Sequence, residues 1–307
     1  MLSRIAESLY WIGRYVQRAE STCRILDVHL QLVVEDPTVD VHDAAQTLLG
    51  VMGYPSTSDS VSDEIAQLLL HDLASPSVVS AIADAREAAR RARETVPPEM
   101  WEAINTTWHA GSGPSLRLMR PSSALNLLRE RCAVINGTAD SAMSHDEGWL
   151  FLELGRGLEQ VDMTARTMML AASTPNRPSA WTSALRARGA LHAYRRTYGA
   201  ETLGRDAAGF LLLDGLCPGS VVHSLRSVEE ALTALEPGVE GARAEGTPVW
   251  LLGKARAELE YQRMDEVLST LPERLTALQH LCVDLDAAIS ERYFEGAASP
   301  TWKGGAL

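Results

Sequence analysis

The residues best suited to chemistry in this chain are arginines and acids that recur at matched spacing in two segments. The candidate substrate-binding residues are five arginines: Arg14, Arg18, Arg24, Arg156 and Arg166. The candidate catalytic residues are three acids: Glu20, Glu159 and Asp162. A guanidinium group presents planar N–H donors that match a carboxylate or a phosphate. In this interpretation the arginines bind a carboxylate or an acyl phosphate, Glu20 and Asp162 orient them, and Glu159 takes a proton.

The two segments are copies of one helix, near residues 3–34 and 147–173, displaced by 142 positions. Their apolar residues recur at steps of four and three, which predicts a seam that packs along a partner helix. The displacement also aligns Gly13 with Gly155. Glycine inside a helix costs about 1 kcal/mol relative to alanine, so two matched glycines indicate close approach of another helix or a ligand. We therefore predict two helices side by side about an approximate twofold axis, with the charged residues near their shared surface.

The same pattern supports a second interpretation, in which the charged residues do no chemistry. Acid–arginine pairs beside an apolar seam often serve only to fix the register of two helices. Glu20 and Arg24 stand four residues apart with the acid first, as do Asp162 and Arg166, and this order favours ion pairs within each helix. The two hypotheses are therefore a ligand site and a non-catalytic scaffold or interaction protein. Guanidinium groups that line an open cavity favour the first, and guanidinium groups closed off by acids favour the second.

Composition and charge narrow the classes of function. The net charge is −12, whereas a nucleic-acid-binding protein usually presents a basic face. No apolar stretch approaches the roughly 20 residues of a membrane-spanning helix, and charges interrupt the N-terminus where a signal peptide is apolar, so we expect a cytoplasmic protein. No cofactor or metal site is indicated, and the four cysteines are expected to be reduced core residues. Without a P-loop, the chain is not expected to hydrolyse ATP alone, and the sequence assigns no enzymatic activity.

The residue usage also predicts the fold class. The 307 residues are 46% hydrophobic but only 6% aromatic, and Ala, Leu, Arg and Glu are abundant, which favours helix over sheet. We predict an all-α bundle of about ten helices with an internal pseudo-twofold repeat, formed by residues 1–295 as one domain. Two of the predicted helices span residues 179–198 and 248–270. The tail at 296–307 is rich in Gly, Ala, Ser and Pro and is predicted to be disordered.

The opening of the chain, from Met1 to Glu20, resembles that of the alpha-E family, a bacterial helical domain named for a recurrent Glu-Arg motif. Its distinctive part runs Ser8-Leu9-Tyr10-Trp11-Ile12-Gly13-Arg14. Further similarities are the second Gly-Arg helix, the run Asp146-Glu147-Gly148-Trp149 and the run Ala193-Tyr194-Arg195-Arg196, so the resemblance covers nearly the whole chain. The Glu-Arg motif itself is Gln17-Arg18 in the first copy and Glu159-Gln160 in the second, so each copy keeps one member.

The resemblance implies partners and a broad function. Alpha-E proteins are similar to those encoded beside, or fused to, a circularly permuted ATP-grasp ligase, often with a transglutaminase-like peptidase. This implies a helical subunit of a system that makes or modifies a small peptide or amide. The other expectations for partners are no nucleic acid and no membrane, with association into a homo-oligomer left open.

Overall fold

The computed structural model describes residues 1–54, 65, 67–73, 76–174, 178–236 and 244–294. These residues form fourteen α-helices and one π-helical turn, Gln67–His71, and they contain no strand. The helices are α1 Ser3–Glu35, α2 Val41–Met52, α3 Val78–Arg91, α4 Pro98–Ser112, α5 Pro114–Leu118, α6 Pro121–Ala142, α7 Glu147–Ala172, α8 Pro178–Ala187, α9 Leu191–Tyr198, α10 Gly204–Leu213, α11 Val221–Leu235, α12 Pro248–Glu260, α13 Met264–Ser269 and α14 Leu271–Tyr293. The predicted all-α fold is confirmed. The predicted tail at 296–307 lies outside the described residues.

The described helices outnumber the predicted ten because the chain breaks where the apolar pattern continues. Gly189, at φ +67, separates α8 from α9 within the predicted helix 179–198. Glycine adopts this left-handed conformation without the steric penalty of a side chain, so it ends the first helix and redirects the second. A second break at residues 261–263 separates α12 from α13 and involves neither glycine nor proline. Pro114 opens the short extra helix α5 at a position suited to a residue without an N–H group.

Helices α1 and α7 form the centre of the molecule and run parallel to each other. The amino group of Met1 lies 3.0 Å from Glu147 Oε2 at the start of both helices. Further along, Arg18 Nη1 lies 3.1 Å from Glu159 Oε1. Contacts therefore advance together along both helices, with each residue facing the neighbourhood of its counterpart 142 positions later. Most of both helices is buried, as expected for helices with apolar residues on more than one side.

The two matched glycines lie where the backbones of α1 and α7 are in close contact. A Cβ atom added to Gly13 would lie 2.2 Å from the carbonyl oxygen of Leu152. A Cβ atom added to Gly155 would lie 2.0 Å from the carbonyl oxygen of Tyr10. Leu152 is the counterpart of Tyr10 in the second copy, so the contact is reciprocal and shows the pseudo-twofold relation directly. Only glycine allows the two backbones to come this close.

The pseudo-twofold relation extends beyond the predicted repeat of 3–34 and 147–173. Helices α3 and α6 pack on α1, and α11 and α14 pack correspondingly on α7. Helix α4 contacts both α3 and α6, just as α12 contacts both α11 and α14. Helix α8 packs on α1 and, reciprocally, α2 packs on α7. Each half of the chain therefore supplies an equivalent layer of helices around the central pair.

The four cysteines lie in the core, as the sequence predicts. All four, Cys23, Cys132, Cys217 and Cys282, are buried and form no disulfide. Burial raises the pKa of the Cys132 and Cys282 thiols well above the usual value, so both stay protonated. None of the helices in the described part of the chain is both long enough and apolar enough to cross a membrane.

Candidate functional site

Five of the eight predicted site residues meet in the core between α1 and α7, directly after the glycine crossing. We call this set the acid–arginine cluster: Arg14, Arg18, Glu159, Asp162 and Arg166. Their exposed fractions are 3%, 2%, 0%, 4% and 4%. Charged side chains are almost never buried this deeply unless they are paired. The contacts inside the cluster therefore decide whether it serves a ligand or the fold.

Arg14 connects three elements. Its Nε donates to Glu159 Oε2 at 2.8 Å on α7, and its Nη1 donates to Asp286 Oδ1 at 3.0 Å on α14. The same Nη1 donates to the hydroxyl of Tyr10 at 2.9 Å. Burial raises the pKa of Tyr10, so its hydroxyl keeps its proton and donates to Asp286 Oδ1 at 2.5 Å. Arg14 is thus enclosed by groups of this chain.

The residues that the resemblance assigns to the Glu-Arg motif, 17–18 and 159–160, contact each other between the two copies. Arg18, kept in the first copy, donates through Nη1 to Oε1 of Glu159, kept in the second, at 3.1 Å. The two departures from the motif also meet, because Gln160 Nε2 donates to Gln17 Oε1 at 3.4 Å. A pair of the form Glu-Arg in both copies would place two ion pairs here, related by the pseudo-twofold. In this chain one is charged and the other is a neutral amide pair.

Asp162 and Arg166 form the predicted pair within α7. Arg166 Nε donates to Asp162 Oδ2 at 2.8 Å, and Arg166 Nη1 donates to the backbone carbonyl of Val51 on α2. Burial alone would raise the pKa of the Asp162 carboxyl, but Arg166 and Arg18 outweigh that effect and lower the pKa below its usual value. Asp162 is therefore an ionised partner of two guanidinium groups.

The other three predicted residues lie outside the cluster. Glu20 Oε1 accepts from Arg24 Nη2 at 2.9 Å, within α1, and Glu20 Oε2 accepts from Asn136 on α6 at 3.3 Å. Arg156 lies 2.9 Å from Asp140 on α6 and also pairs with Glu153 in its own helix. Arg156 is the counterpart of Arg14, so each copy sends this arginine to an acid on an outer helix.

A separate cavity of about 340 Å³ lies where the C-terminal parts of α1 and α7 meet α2 and α8. None of the eight predicted site residues lines it. Its polar lining includes His29, whose pKa burial lowers to about 4. The sequence interpretation missed His29 because a lone histidine on an apolar helix carries no signal. It also missed Tyr10, whose position four residues before Arg14 could have indicated a contact.

The pKa of His29 predicts a loss of stability in mild acid. The folded-state pKa of about 4 lies below the unfolded value of about 6.5, so the unfolded chain takes up the proton first as the pH falls. The contribution of His29 to the free energy of unfolding is therefore present in full above the unfolded-state pKa. It is lost as the pH falls from there towards the folded-state pKa of about 4. We expect His29→Gln to remove about 2 kcal/mol of this loss, after allowance for partial exposure. Urea unfolding at neutral pH and near the folded pKa measures the difference.

An exposed histidine provides the control for this prediction. His280 lies on the surface of α14, so His280→Gln removes a histidine without altering the buried site and is the comparison variant. If His29→Gln and the unaltered chain lose the same free energy of unfolding on acidification, His29 does not titrate as stated.

Comparison with known proteins places this arrangement in a family. The chain matches, over residues 1–294, a family profile described as "a predicted alpha-helical domain with a conserved ER motif". It is 25% identical over 271 residues to the uncharacterized protein Mb2597 of Mycobacterium bovis, and 24% identical over 271 residues to the uncharacterized protein Rv2567 of Mycobacterium tuberculosis. Each match covers 78% of this chain and 30% of the relative, so the chain spans less than a third of the length of these relatives.

No solved structure matches the chain significantly. The match to the family profile covers almost the full length of the chain. The chain therefore belongs to the Alpha-E family.

Proposed function

We propose that this chain is a non-catalytic helical scaffold whose acid–arginine cluster fixes the register of α1 and α7. One observation carries the proposal: each of the five predicted substrate-binding arginines already contacts a carboxylate of the chain. The pairs are Arg14–Glu159, Arg18–Glu159, Arg24–Glu20, Arg156–Asp140 and Arg166–Asp162. An incoming carboxylate or phosphate would have to displace these partners, and in the cluster it would leave them charged and buried.

The geometry of the cluster supports a role in register. Sliding α1 along α7 by one residue would move Arg14 and Arg18 away from the oxygens of Glu159 that they contact, and all three side chains are buried. The same slide would bring side chains against the backbone at Gly13 and Gly155. Buried polar groups that are satisfied in only one alignment favour that alignment over the alternatives. The scaffold is therefore held in one arrangement by contacts that leave no room for a substrate.

The scaffold acts, in this proposal, within a peptide or amide ligase system. The support is the family resemblance, which implies an ATP-grasp ligase and often a transglutaminase-like peptidase as partners. The length of the relatives agrees with this, because more than two thirds of each relative lies outside the matched region. A helical module that occurs with additional sequence is suited to hold or present another component. The chain itself supplies no catalytic group to the reaction.

One observation favours the alternative, in which an arginine binds the substrate directly. The side chain of Arg24 is 32% exposed, the largest value among the five candidate arginines, and Arg24 Nη1 lies 3.5 Å from where a Cβ atom of Gly189 would stand. Its guanidinium therefore reaches the surface beside the turn between α8 and α9. Arg24 is the position at which the two functions differ in an experiment.

The test combines co-purification with an ATP-grasp ligase from the same genome and ATP turnover over a panel of amino acids. We expect the chain to bind the ligase and to change its turnover. Arg24→Ala should leave that change within about twofold, because in this proposal Arg24 contacts no substrate and a partly exposed ion pair within one helix contributes little to stability. The matched control is Arg90→Ala on α3, which also removes an arginine paired with a nearby acid, Glu87.

The outcomes separate the two functions. Equal turnover with Arg24→Ala and Arg90→Ala supports the scaffold. Loss of the effect with Arg24→Ala alone, in a variant that still melts cooperatively, contradicts the scaffold and supports substrate binding at Arg24. Failure of the chain to bind the ligase contradicts the proposed ligase system.

A further inference from the structure

The cavity between the C-terminal ends of α1 and α7 lies at the pseudo-twofold axis that relates the two copies. Four pairs of its lining residues occupy equivalent positions: Ile25 with Thr167, Val28 with Leu170, His29 with Ala171, and Leu32 with Thr174. The cavity therefore lies between the C-terminal parts of α1 and α7, which follow the acid–arginine cluster along both helices. The volume of about 340 Å³ falls within the range of about 300–1,000 Å³ that is typical of small-ligand pockets.

The inner walls of the cavity are aliphatic and small. Ile25, Val28 and Leu170 supply branched side chains, and Ala180 and Ala184 on α8 are buried in its wall. Alanine keeps the wall close to the helix backbone, so the space is shaped by missing side chains. Such a surface binds an alkyl body through the hydrophobic effect and offers it few hydrogen bonds.

The charged residues that line the cavity are both acidic. Asp40 and Asp43, at the start of α2, both line it and are both exposed, so their carboxylates lie at its mouth. No arginine or lysine is among the lining residues that the structure describes. Asp40 Oδ1 accepts the backbone N–H groups of His42 and Asp43, which leaves its other oxygen for a further donor.

His29 adds a neutral acceptor to the cavity. Burial lowers its pKa to about 4, so its ring is uncharged at neutral pH and carries one nitrogen with a free lone pair. Burial alone accounts for this lowered pKa, and no hydrogen bond to the ring is among its causes. The polar groups of the cavity are therefore two carboxylates, an imidazole acceptor and hydroxyl groups, a set that matches an ammonium group and repels a carboxylate or phosphate.

We propose that this cavity binds a primary aliphatic amine, with the ammonium group at Asp40 and Asp43 and the alkyl body along the alanines of α8. No residue of the acid–arginine cluster takes part. The inference goes beyond the scaffold function and does not depend on it. Binding is measured on the chain alone, so its failure leaves the ligase experiment unaffected.

The experiment compares three ligands with the same alkyl body by isothermal titration calorimetry at neutral pH. They are n-hexylamine, 1-hexanol and hexanoate. We expect hexylamine to bind most tightly, hexanol roughly tenfold more weakly, and hexanoate not measurably, because the two carboxylates attract an ammonium group and repel a third carboxylate. Hexanoate binding as tightly as hexylamine, or no hexylamine binding at millimolar concentration, overturns the proposal.

Two variants locate the binding in this cavity. Asp40→Asn with Asp43→Asn should weaken hexylamine roughly tenfold and leave hexanol unchanged, and asparagine still caps α2. Asp284→Asn removes a charge from the exposed face of α14, a helix that supplies no lining residue, and should change the affinity for neither ligand. Ala44→Leu fills the cavity from α2 and should abolish binding of both ligands while the variant still melts cooperatively. An undiminished affinity in Ala44→Leu or in the double aspartate variant places the amine elsewhere and overturns the proposal.

A further comparison identifies the source of the amine. Lysine acetylated at its α-nitrogen and amidated at its carboxyl group represents a side chain within a peptide, and leucinamide represents a peptide N-terminus. Tighter binding of acetyl-lysine than of leucinamide assigns the cavity to a lysine side chain, and the reverse order assigns it to a chain end. If hexylamine binds and neither peptide mimic does, the ligand is a free alkylamine.

Discussion

Replacing Glu159 with glutamine is expected to destabilise the fold by about 3–5 kcal/mol, the range for breaking a buried ion pair on one side. Glu159 is completely buried and accepts from Arg14 Nε at 2.8 Å and from Arg18 Nη1 at 3.1 Å. A neutral amide leaves two guanidinium charges in the core with weaker compensation. Urea unfolding followed by circular dichroism measures the change, with an unaltered dependence on urea concentration showing that the folded state is retained.

An exposed glutamate provides the control. Glu130 lies on the surface of α6, so Glu130→Gln should change stability by no more than about 0.5 kcal/mol. If Glu159→Gln proves as mild as Glu130→Gln, the cluster does not hold α1 and α7 together. If Glu159→Gln keeps full stability but abolishes ligase turnover, the sequence interpretation of Glu159 as a proton acceptor regains support over the scaffold.

The second large effect is expected at the glycine crossing. In Gly155→Ala the new methyl group would lie 2.0 Å from the carbonyl oxygen of Tyr10, in the backbone of a neighbouring helix. Backbone cannot rotate away as a side chain can, so α1 and α7 must separate and loosen the cluster beside them. Overpacking of a core costs about 1–3 kcal/mol and occasionally more, and contact with backbone places this variant at about 3 kcal/mol or above, despite alanine's better helix propensity.

A glycine elsewhere in a helix should show the opposite sign. Gly137 in α6 has nothing within 4 Å of where a Cβ atom would stand. Gly137→Ala is therefore expected to stabilise the chain by about 0.5–1 kcal/mol, since only the helix propensity changes. Thermal melting of both variants checks the pair. Equal shifts in the same direction would contradict the close approach of α1 and α7.

The sequence was most informative where local spacing controls structure. The seam of α1, the shift of 142 residues and the matched Gly13 and Gly155 predicted a pair of helices in contact, because heptad spacing and an interior glycine each have few explanations. The ion pairs of Arg24 and Arg166 within their own helices were also predictable from the four-residue spacing. These predictions depend only on the helical period, because the spacing of residues in the sequence can be compared with it directly.

What the sequence could not provide were contacts between distant segments. Glu159 pairs with arginines of the other copy, and Arg14 also reaches Asp286, 272 residues away. Such contacts depend on how the outer helices pack, which no local spacing encodes. The cavity is a further example, because alanines such as Ala184 have the same pattern whether a neighbouring helix or empty space faces them. The function assigned to Arg14 and Arg18 changes for this reason, since the acids that they contact lie outside their own helix.

The meeting of Gln17 with Gln160 beside the pair of Arg18 with Glu159 has a genetic consequence. In a dimer of identical subunits every substitution appears twice, so one ion pair across the axis could not be neutralised without neutralising the other. Two copies on one polypeptide escape this restriction, because each half has its own codons. One of the two equivalent contacts can then keep its ion pair while the other becomes a neutral amide pair. His29 can differ from its counterpart Ala171 in the same way. Joining the two copies in one gene is thus what allows their shared axis to become asymmetric.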